Sequence, residues 1–280
     1  MSHFLSLAGH ASVILIEVIA LVWIGQRAFE LATRTRFKQE LMVKDNPAAG
    51  VALAGYYLSL FIALSSLLSG DAIALLDDIL FTAIHGLAAI AALILSAFLW
   101  RLIIPVRLRE DILTARNLGA GLVAASMFIA TGLVYRGAVH LQDGNPATIA
   151  AFFALGEGSL LIALLAYEWL TPYDVAAEIS EKANVAAAVS FSGVTIAAGL
   201  IVGNAVEGEF LGWRESIRDA FLYMIPLLAL PLTRWLVVNG LILGFGSVNR
   251  EVAEDRNLAA GLVEAVAYVG IALFAVHLIG

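Results

Sequence analysis

Three glutamates and one histidine interrupt long apolar stretches of the chain: Glu17, Glu157, Glu264 and His85. An ionisable side chain at membrane depth is energetically costly, and such residues commonly mark the paths of protons or ions. Glu17 and Glu157 lie 140 residues apart, close to the period of an internal repeat, so they are candidates for equivalent positions. We interpret the four residues as candidate ion- or proton-handling groups.

Each of these residues also has a structural explanation. Glu17 and Glu157 could be neutral, or paired with a helix dipole or with a base such as Arg136. Glu264 lies seven residues beyond the start of the last apolar stretch, about 10 Å of helix rise, so a hydrated vestibule could solvate it. His85 could form a hydrogen bond to a neighbouring helix. The sequence leaves the functional and the structural interpretations open.

Recognised catalytic motifs do not occur in the chain. There is no His-Glu-x-x-His, no phosphate-binding glycine loop and no Gly-x-Ser-x-Gly. The chain has no cysteine, and its five histidines are scattered, so residue spacing gives no support for a metal site. Without a basic tail or helix, nucleic acid is not an expected partner. We therefore expect no catalytic residues, no metal and no cofactor, and we do not expect an enzyme.

The composition is that of a membrane protein. Of the 280 residues, 61% are hydrophobic and 14% are charged, whereas about 25% of the residues in a soluble domain are charged. A helix of about 20 apolar residues crosses the hydrocarbon core and satisfies its own backbone hydrogen bonds there. We predict an all-α integral membrane protein with eight transmembrane helices, near residues 11–33, 46–69, 79–104, 117–140, 146–171, 184–207, 220–245 and 257–280.

A five-residue pattern occurs four times, each time at the start of an apolar stretch. It consists of an asparagine, one apolar residue and three small residues. Asparagine is a good N-cap, and small residues four and eight positions later allow close helix packing in lipid. We assign cap and packing roles to the first and fifth residues of each copy: Asn46 and Gly50, Asn117 and Gly121, Asn184 and Ala188, Asn257 and Gly261.

The spacing of the four copies predicts how the chain is organised. Successive asparagines are 71, 67 and 73 residues apart, which indicates a two-helix unit used four times or a four-helix unit used twice. The helices that begin with the pattern point the same way, so the repeats are parallel rather than inverted. We predict two tandem four-helix repeats, 1–142 and 143–280. The second, fourth, sixth and eighth helices should form an inner bundle, with the others packed outside them.

The distribution of basic residues predicts the orientation. Of the 16 Lys and Arg residues, 13 lie in or beside the connectors that precede the even-numbered helices. Cytoplasmic connectors carry the excess of Lys and Arg in membrane proteins. We therefore expect the four asparagines at the cytoplasmic face and both termini outside.

Two segments resemble a known family. They are Asp-Asn-Pro-Ala-Ala-Gly-Val-Ala-Leu-Ala-Gly, which ends at Gly55, and Arg-Asn-Leu-Gly-Ala-Gly, which ends at Gly121. Together they are similar to the YjfL-like bacterial membrane proteins, catalogued as domain of unknown function 350, whose unit has four helices. This chain resembles two such units, roughly 12–140 and 147–280. The third copy of the pattern departs from the family, with Ala188 in place of glycine and Ala183 before the asparagine. The resemblance implies a bacterial inner-membrane location, hence periplasmic termini, and brings no established activity.

The function that we infer from the sequence is membrane transport. A small ion would pass through, or be sensed by, the inner bundle, with the glutamates as charge-handling groups. The alternative is a non-catalytic scaffold or anchor for partner proteins, in which the repeat serves only helix packing. Expected partners are the lipid bilayer and either further copies of the chain or other membrane proteins.

Overall fold

A computed structural model describes residues 2–68, 75–102, 106–141, 145–244 and 246–279. For residues 2–8, 10, 68 and 102 it describes the backbone only. The predicted boundary between residues 142 and 143 lies outside the described residues.

Eight helices within the described residues are long and apolar enough to cross a membrane. Apart from an isolated bridge between Leu141 and Gly208, the regular elements in that part of the chain are all helical. The membrane helices are α1 (Ser2–Thr33), α2 (Pro47–Ser65), α3 (Leu75–Leu99), α4 (Leu118–Val139), α5 (Pro146–Leu170), α6 (Val185–Ala205), α7 (Trp213–Ile242) and α8 (Leu258–Ile279).

Helix α7 is irregular, and it begins seven residues before the predicted start. Its α-helical part, Trp213–Tyr223, gives way to a 3-10 turn at Ile225–Leu228, which contains Pro226. After one further α-helical turn, Thr233–Ile242 is a π-helix. Proline removes a backbone donor and clashes with the preceding turn, which explains why the regular hydrogen bonding stops here.

The connectors that precede the even-numbered helices share one design. Each contains a short helix, at Phe37–Met42, Leu108–Thr114, Val175–Ser180 and Arg250–Glu254. The residue before each asparagine has a positive φ, between 48° and 54°, at Asp45, Arg116, Ala183 and Arg256. This left-handed residue turns the chain sharply from the connector into the membrane helix. The repeat seen in the sequence is therefore also a repeat of backbone conformation.

The even-numbered helices form a row rather than a closed bundle. Extensive contacts join α2 to α4, α4 to α6, and α6 to α8. In the most apolar part of each helix, 72% of the residues of α4 and of α6 are buried, against 56% in α2 and 17% in α8. The expected inner bundle of four helices is therefore wrong for α8. A row has two ends, and α8 is the last helix in it.

Candidate functional site

The first three of the four repeated asparagines act at two places each. The Oδ1 of Asn46 accepts hydrogen bonds from the backbone N–H groups of Ala48 (3.1 Å) and Ala49 (3.2 Å), which caps α2. The other three asparagines cap their helices in the same way. The Nδ2 of Asn46 also donates to the carbonyl of Ile112, 2.9 Å away in the next connector. A cap alone would not require this amide, because serine caps equally well.

The same cross-connection recurs along the row. Asn117 Nδ2 donates to the Ile179 carbonyl at 2.7 Å, and Asn184 Nδ2 donates to the Val252 carbonyl at 2.8 Å. Each acceptor lies five residues before the next asparagine, and the side chains of Ile112, Ile179 and Val252 are fully buried. Asn46, Asn117 and Asn184 each thus fix the start of their own helix and the connector of the next helix in the row.

Small residues set the distance between the helices of the row. A Cβ added to Gly121 would lie 2.5 Å from the carbonyl oxygen of Ala48, and one added to Gly261 would lie 2.5 Å from that of Ala186. Between α4 and α6 the alanine and the glycine exchange positions: the fifth residue is Ala188, and it faces Gly119 of α4. By contrast, among the described residues a Cβ on Gly50 would meet a single atom, at the end of the Leu41 side chain, 3.5 Å away. The fifth residue of each pattern therefore packs on the third residue of the pattern in the preceding even-numbered helix. Gly50 is the exception, because α2 is the first helix of the row.

Glu264 belongs to a buried polar network. Its side chain is inaccessible to solvent, and its Oε1 lies 2.9 Å from Nε of Arg234. This Nε–H does not point along the line to the oxygen, so the contact is an ion pair rather than an aligned hydrogen bond. Tyr268 OH donates to Oε1 at 3.1 Å, and Ser190 Oγ donates to Oε2 at 2.7 Å. The carboxylate of Glu264 is fully partnered within the protein.

The guanidinium of Arg234 is also partnered. It donates to Thr171 Oγ1 at 3.0 Å and to Tyr173 OH at 3.3 Å, and it lies 5.6 Å from the ring centroids of Tyr167 and Tyr173. Burial raises the pKa of the Tyr173 phenol, while the charge of Arg234 lowers it. Four elements, α5, α6, α7 and α8, thus meet at one neutral ion pair, which joins them without leaving a free charge.

Glu157 lies in a different environment, at the junction of the two halves of the chain. It is 3% exposed near the middle of α5 and faces three polar side chains: Ser96 of α3, Trp100 of the turn after α3, and Thr131 of α4. Among the described residues, no hydrogen bond of good geometry reaches either carboxyl oxygen, Ser96 Oγ, Thr131 Oγ1 or Trp100 Nε1. The three side chains are close enough to act on the carboxyl, but none is aligned as a good hydrogen bond. Buried polar groups in such a state are unusual in folded proteins and call for an explanation.

A partly open apolar pocket reaches one wall of this polar cluster. It is lined by Trp100, Phe128, Ala124, Phe29 and Arg101, among others. The Trp100 side chain is 5% exposed and belongs to both places, since its ring lines the pocket and its Nε1 faces Glu157. Trp100 therefore stands between the pocket and the Glu157 carboxyl, which does not itself line the pocket.

Glu17 and His85 lie apart from these clusters. Glu17 is half-buried on α1, and neither of its oxygens has a hydrogen-bond partner among the described residues. His85 is 8% exposed, packs on the Phe81 ring at 4.3 Å, and accepts a hydrogen bond from Tyr135 OH through its backbone carbonyl. No hydrogen bond or ion pair in the described part of the chain joins any two of Glu17, Glu157, Glu264 and His85. The four candidates therefore do not form one site.

The suggested equivalence of Glu17 and Glu157 does not hold. Glu30 Oε1 accepts from the N–H of Phe37 at 3.1 Å, and Glu168 Oε1 accepts from the N–H of Val175 at 3.2 Å. Both residues of this contact repeat at an offset of 138, so the position equivalent to Glu157 is residue 19, an exposed isoleucine. Glu157 therefore has no acidic counterpart at the equivalent position of the first half.

Sequence reasoning missed the partners of both buried glutamates. Arg234 lies inside the seventh apolar stretch, and an arginine at membrane depth is itself a signal for a buried acidic partner. Ser96, Thr131 and Ser190 gave no signal, because single hydroxyls are common in membrane helices. Within the described residues, no group of three His, Asp or Glu side chains could hold a metal ion.

The chain matches known proteins over nearly its whole length. The family described as Domain of Unknown Function (DUF350) matches it twice, over residues 3–139 and 141–279. The UPF0719 transmembrane protein of Aquifex aeolicus (strain VF5) is 23% identical over 275 residues, which cover 94% of this chain and 98% of that protein. No solved structure matches the chain. The resemblance seen in the two asparagine segments is confirmed, and this multi-pass transmembrane protein belongs to the DUF350 family as two tandem units.

Proposed function

We propose that the protein handles protons in the membrane, with Glu157 as the group that takes up and releases the proton. One observation favours this role above others. Glu157 is a buried carboxyl surrounded by three further polar side chains, and none of the four has an aligned hydrogen-bond partner among the described residues. In the network around Glu264, by contrast, both carboxylate oxygens accept hydrogen bonds, and Arg234 supplies the counter-charge.

The chemistry of the cluster favours a proton over a metal cation. Thr131 and Ser96 could each accept or donate, but the Trp100 indole N–H can only donate, so it would repel a cation. The cluster contains a single carboxylate, and hard cations usually take several oxygen ligands. A proton needs only one acceptor. The pocket on the other side of Trp100 supplies the approach to this acceptor.

The experiment is proton uptake by purified protein in sealed liposomes that contain a pH-sensitive dye, driven by a potassium diffusion potential. We expect uptake by the wild-type protein and its loss in Glu157→Gln, which keeps the size of the side chain but cannot ionise. Glu254→Gln is the matched control, because Glu254 is exposed in a connector and its side chain is 74% accessible. Equal uptake by wild type and Glu157→Gln, or uptake no faster than that of empty liposomes, would overturn the proposal.

A second readout does not depend on flux. Infrared difference spectra between acid and neutral pH should contain a carboxyl C=O band that disappears in Glu157→Gln and remains in Glu254→Gln. A folded Glu157→Gln protein with an unchanged spectrum would show that this carboxyl does not exchange its proton.

A scaffold or anchor for other membrane proteins is the second candidate function. The observation in its favour is the packing of the row, since α2, α4 and α6 approach each other at backbone distance, and Glu264 is neutralised by Arg234. This function predicts a well-folded wild-type protein without proton uptake. Neither candidate function includes a catalytic role.

The proposed location is the bacterial inner membrane, with the asparagine ends of the helices in the cytoplasm and both termini in the periplasm. The excess of Lys and Arg near the asparagine ends supports this orientation. Because the chain has no cysteine, a single introduced cysteine reports its own side of the membrane. An impermeant maleimide should label Glu209→Cys in intact spheroplasts, and should label Glu254→Cys only after the membrane is permeabilised.

A further inference from the structure

The row of even-numbered helices has two unfilled ends that match each other. At the first end, α2 presents the fifth and ninth residues of its pattern, Gly50 and Ala54. The fifth residue packs on the preceding helix of the row in α4, α6 and α8, and the ninth does so in α4 and α8. In α2, Gly50 is half-buried and Ala54 is exposed. At the last end, α8 presents Ala259, the position that elsewhere receives the next helix, and it is exposed.

The cross-connection between neighbours is also incomplete at both ends. Within the described residues, Asn257 Nδ2 donates to Glu251 of its own connector, at 2.8 Å, and to no other group. Asn184 Nδ2 makes the equivalent bond and also reaches the next connector. In the connectors before α4, α6 and α8, the carbonyl five residues before the asparagine accepts a hydrogen bond from the asparagine of the preceding even-numbered helix. Its equivalent in the first connector is that of Leu41, which no asparagine side chain reaches in the described part of the chain. The Leu41 side chain is 37% exposed, although its three counterparts are fully buried.

The two ends are complementary in charge. The first connector, residues 34–45, contains four basic and two acidic residues, and the last connector, residues 250–256, contains two basic and three acidic residues. Opposite net charges attract when the two surfaces meet, and they disfavour contact between two copies of the same end. This observation is independent of the small residues, and it favours a head-to-tail arrangement over a two-fold symmetric one.

We infer that a second copy of this chain continues the row, with α8 of one copy packed on α2 of the next. The Asn257 amide then donates to the Leu41 carbonyl of the neighbour, and Gly50 packs on Ala259 across the interface. Such a head-to-tail contact forms a ring in the membrane plane if the rotation closes, and a strip if it does not. Val266 of α8 occupies a position held by Gly55, Ser126 and Gly193 in the other helices. Because valine is larger than glycine or serine, the interface between the two copies is tightest near the asparagine end of α8. The inference does not depend on proton handling by Glu157.

The test is disulfide cross-linking of the full-length protein in native membranes, where its lack of native cysteines removes background. A chain with both Gly50→Cys and Ala259→Cys should form a ladder of dimers, trimers and larger species on oxidation. Each single variant should remain monomeric. The control pair is Gly158→Cys with Gly270→Cys, two positions at which an added Cβ meets nothing within 4 Å. A ladder no stronger than that of the control pair would overturn the inference, and so would a strong dimer from Gly50→Cys alone, which indicates a two-fold contact.

A leucine at equivalent glycines separates assembly from folding. Gly50→Leu should abolish the oligomer in light scattering of the solubilised protein and lower its melting temperature far less than Gly121→Leu does, because among the described residues a Cβ there meets the flexible end of Leu41 and no backbone. Gly121→Leu should lower the melting temperature or prevent folding, because any side chain there meets the backbone of Ala48. If Gly50→Leu leaves the oligomer intact, the face of α2 is not the interface.

Discussion

The two halves of the protein differ most at one pair of equivalent places, seven and eleven residues after the second asparagine of each half. In the second half these residues are Glu264 and Tyr268, within the ion-pair network. In the first half they are Ala124 and Phe128, on the wall of an open apolar pocket. The same helical framework therefore accommodates either a buried charge pair or a cavity, and the ion pair is not required for the fold of a unit.

The aromatic packing shows how closely the two places correspond. Phe29 and Phe128 meet edge to face, with ring centroids 5.4 Å apart and planes at 86°. Tyr167 and Tyr268 repeat this arrangement at 6.2 Å and 79°. The rings are conserved in position between the halves, and the second half adds hydroxyls to them. The difference between the halves is thus one of polarity, made by a few substitutions on one framework.

The largest effect is expected when the charge pair is broken. Arg234→Met should lower the free energy of unfolding by about 3–5 kcal/mol, because it leaves the carboxylate of Glu264 buried without a counter-charge. In the first half, Arg101→Met should change it by less than about 0.5 kcal/mol, because Arg101 is exposed at the pocket. Unfolding in mixed detergent micelles, followed by circular dichroism, measures both variants.

The double variant Arg234→Met with Glu264→Leu makes the second half resemble the first. Replacing both charges by apolar groups is often nearly neutral, so we expect stability within about 2 kcal/mol of wild type. The remaining loss comes from Ser190 and Tyr268, whose hydroxyls lose their acceptor. A double variant no more stable than Arg234→Met alone would mean that the ion pair is not the source of the difference.

A smaller effect is expected when one aromatic hydroxyl is exchanged between the halves. Tyr268→Phe removes a hydrogen bond to a charged acceptor and should cost about 1.5–3 kcal/mol. The reciprocal change, Phe128→Tyr, should cost no more than about 1 kcal/mol, because by equivalence its hydroxyl points towards Ala124 and the pocket, where water can solvate it. The same unfolding measurement compares them, and equal costs would show that the two places are not different in polarity.

The architecture could be predicted because the sequence pattern that indicates it is repeated four times. The sites could not be predicted, because each of their residues occurs singly. Four copies of one pattern indicated helix number, parallel direction and close packing, and in lipid the backbone must form helices. The ends of the row could not be predicted, since periodicity does not distinguish a row from a ring of helices. The partners of Glu157 and Glu264 come from helices that are distant in sequence. Only the packing of odd-numbered helices on the row brings Ser96 and Arg234 to them.

The smallest predicted effect concerns the connectors, at two positions that correspond between the halves. Ala183 and Asp45 both precede an asparagine and both have a left-handed backbone, with φ of 49° and 48°. Alanine tolerates this conformation poorly, whereas aspartate adopts it more readily. Ala183→Gly should therefore raise the free energy of unfolding by about 0.5–1 kcal/mol, even though glycine increases the entropy of the unfolded chain. Asp45→Gly should give less than half of that gain. Both side chains are exposed, so lost contacts do not complicate the comparison, and an equal gain at both positions would show that residue type does not matter at this turn.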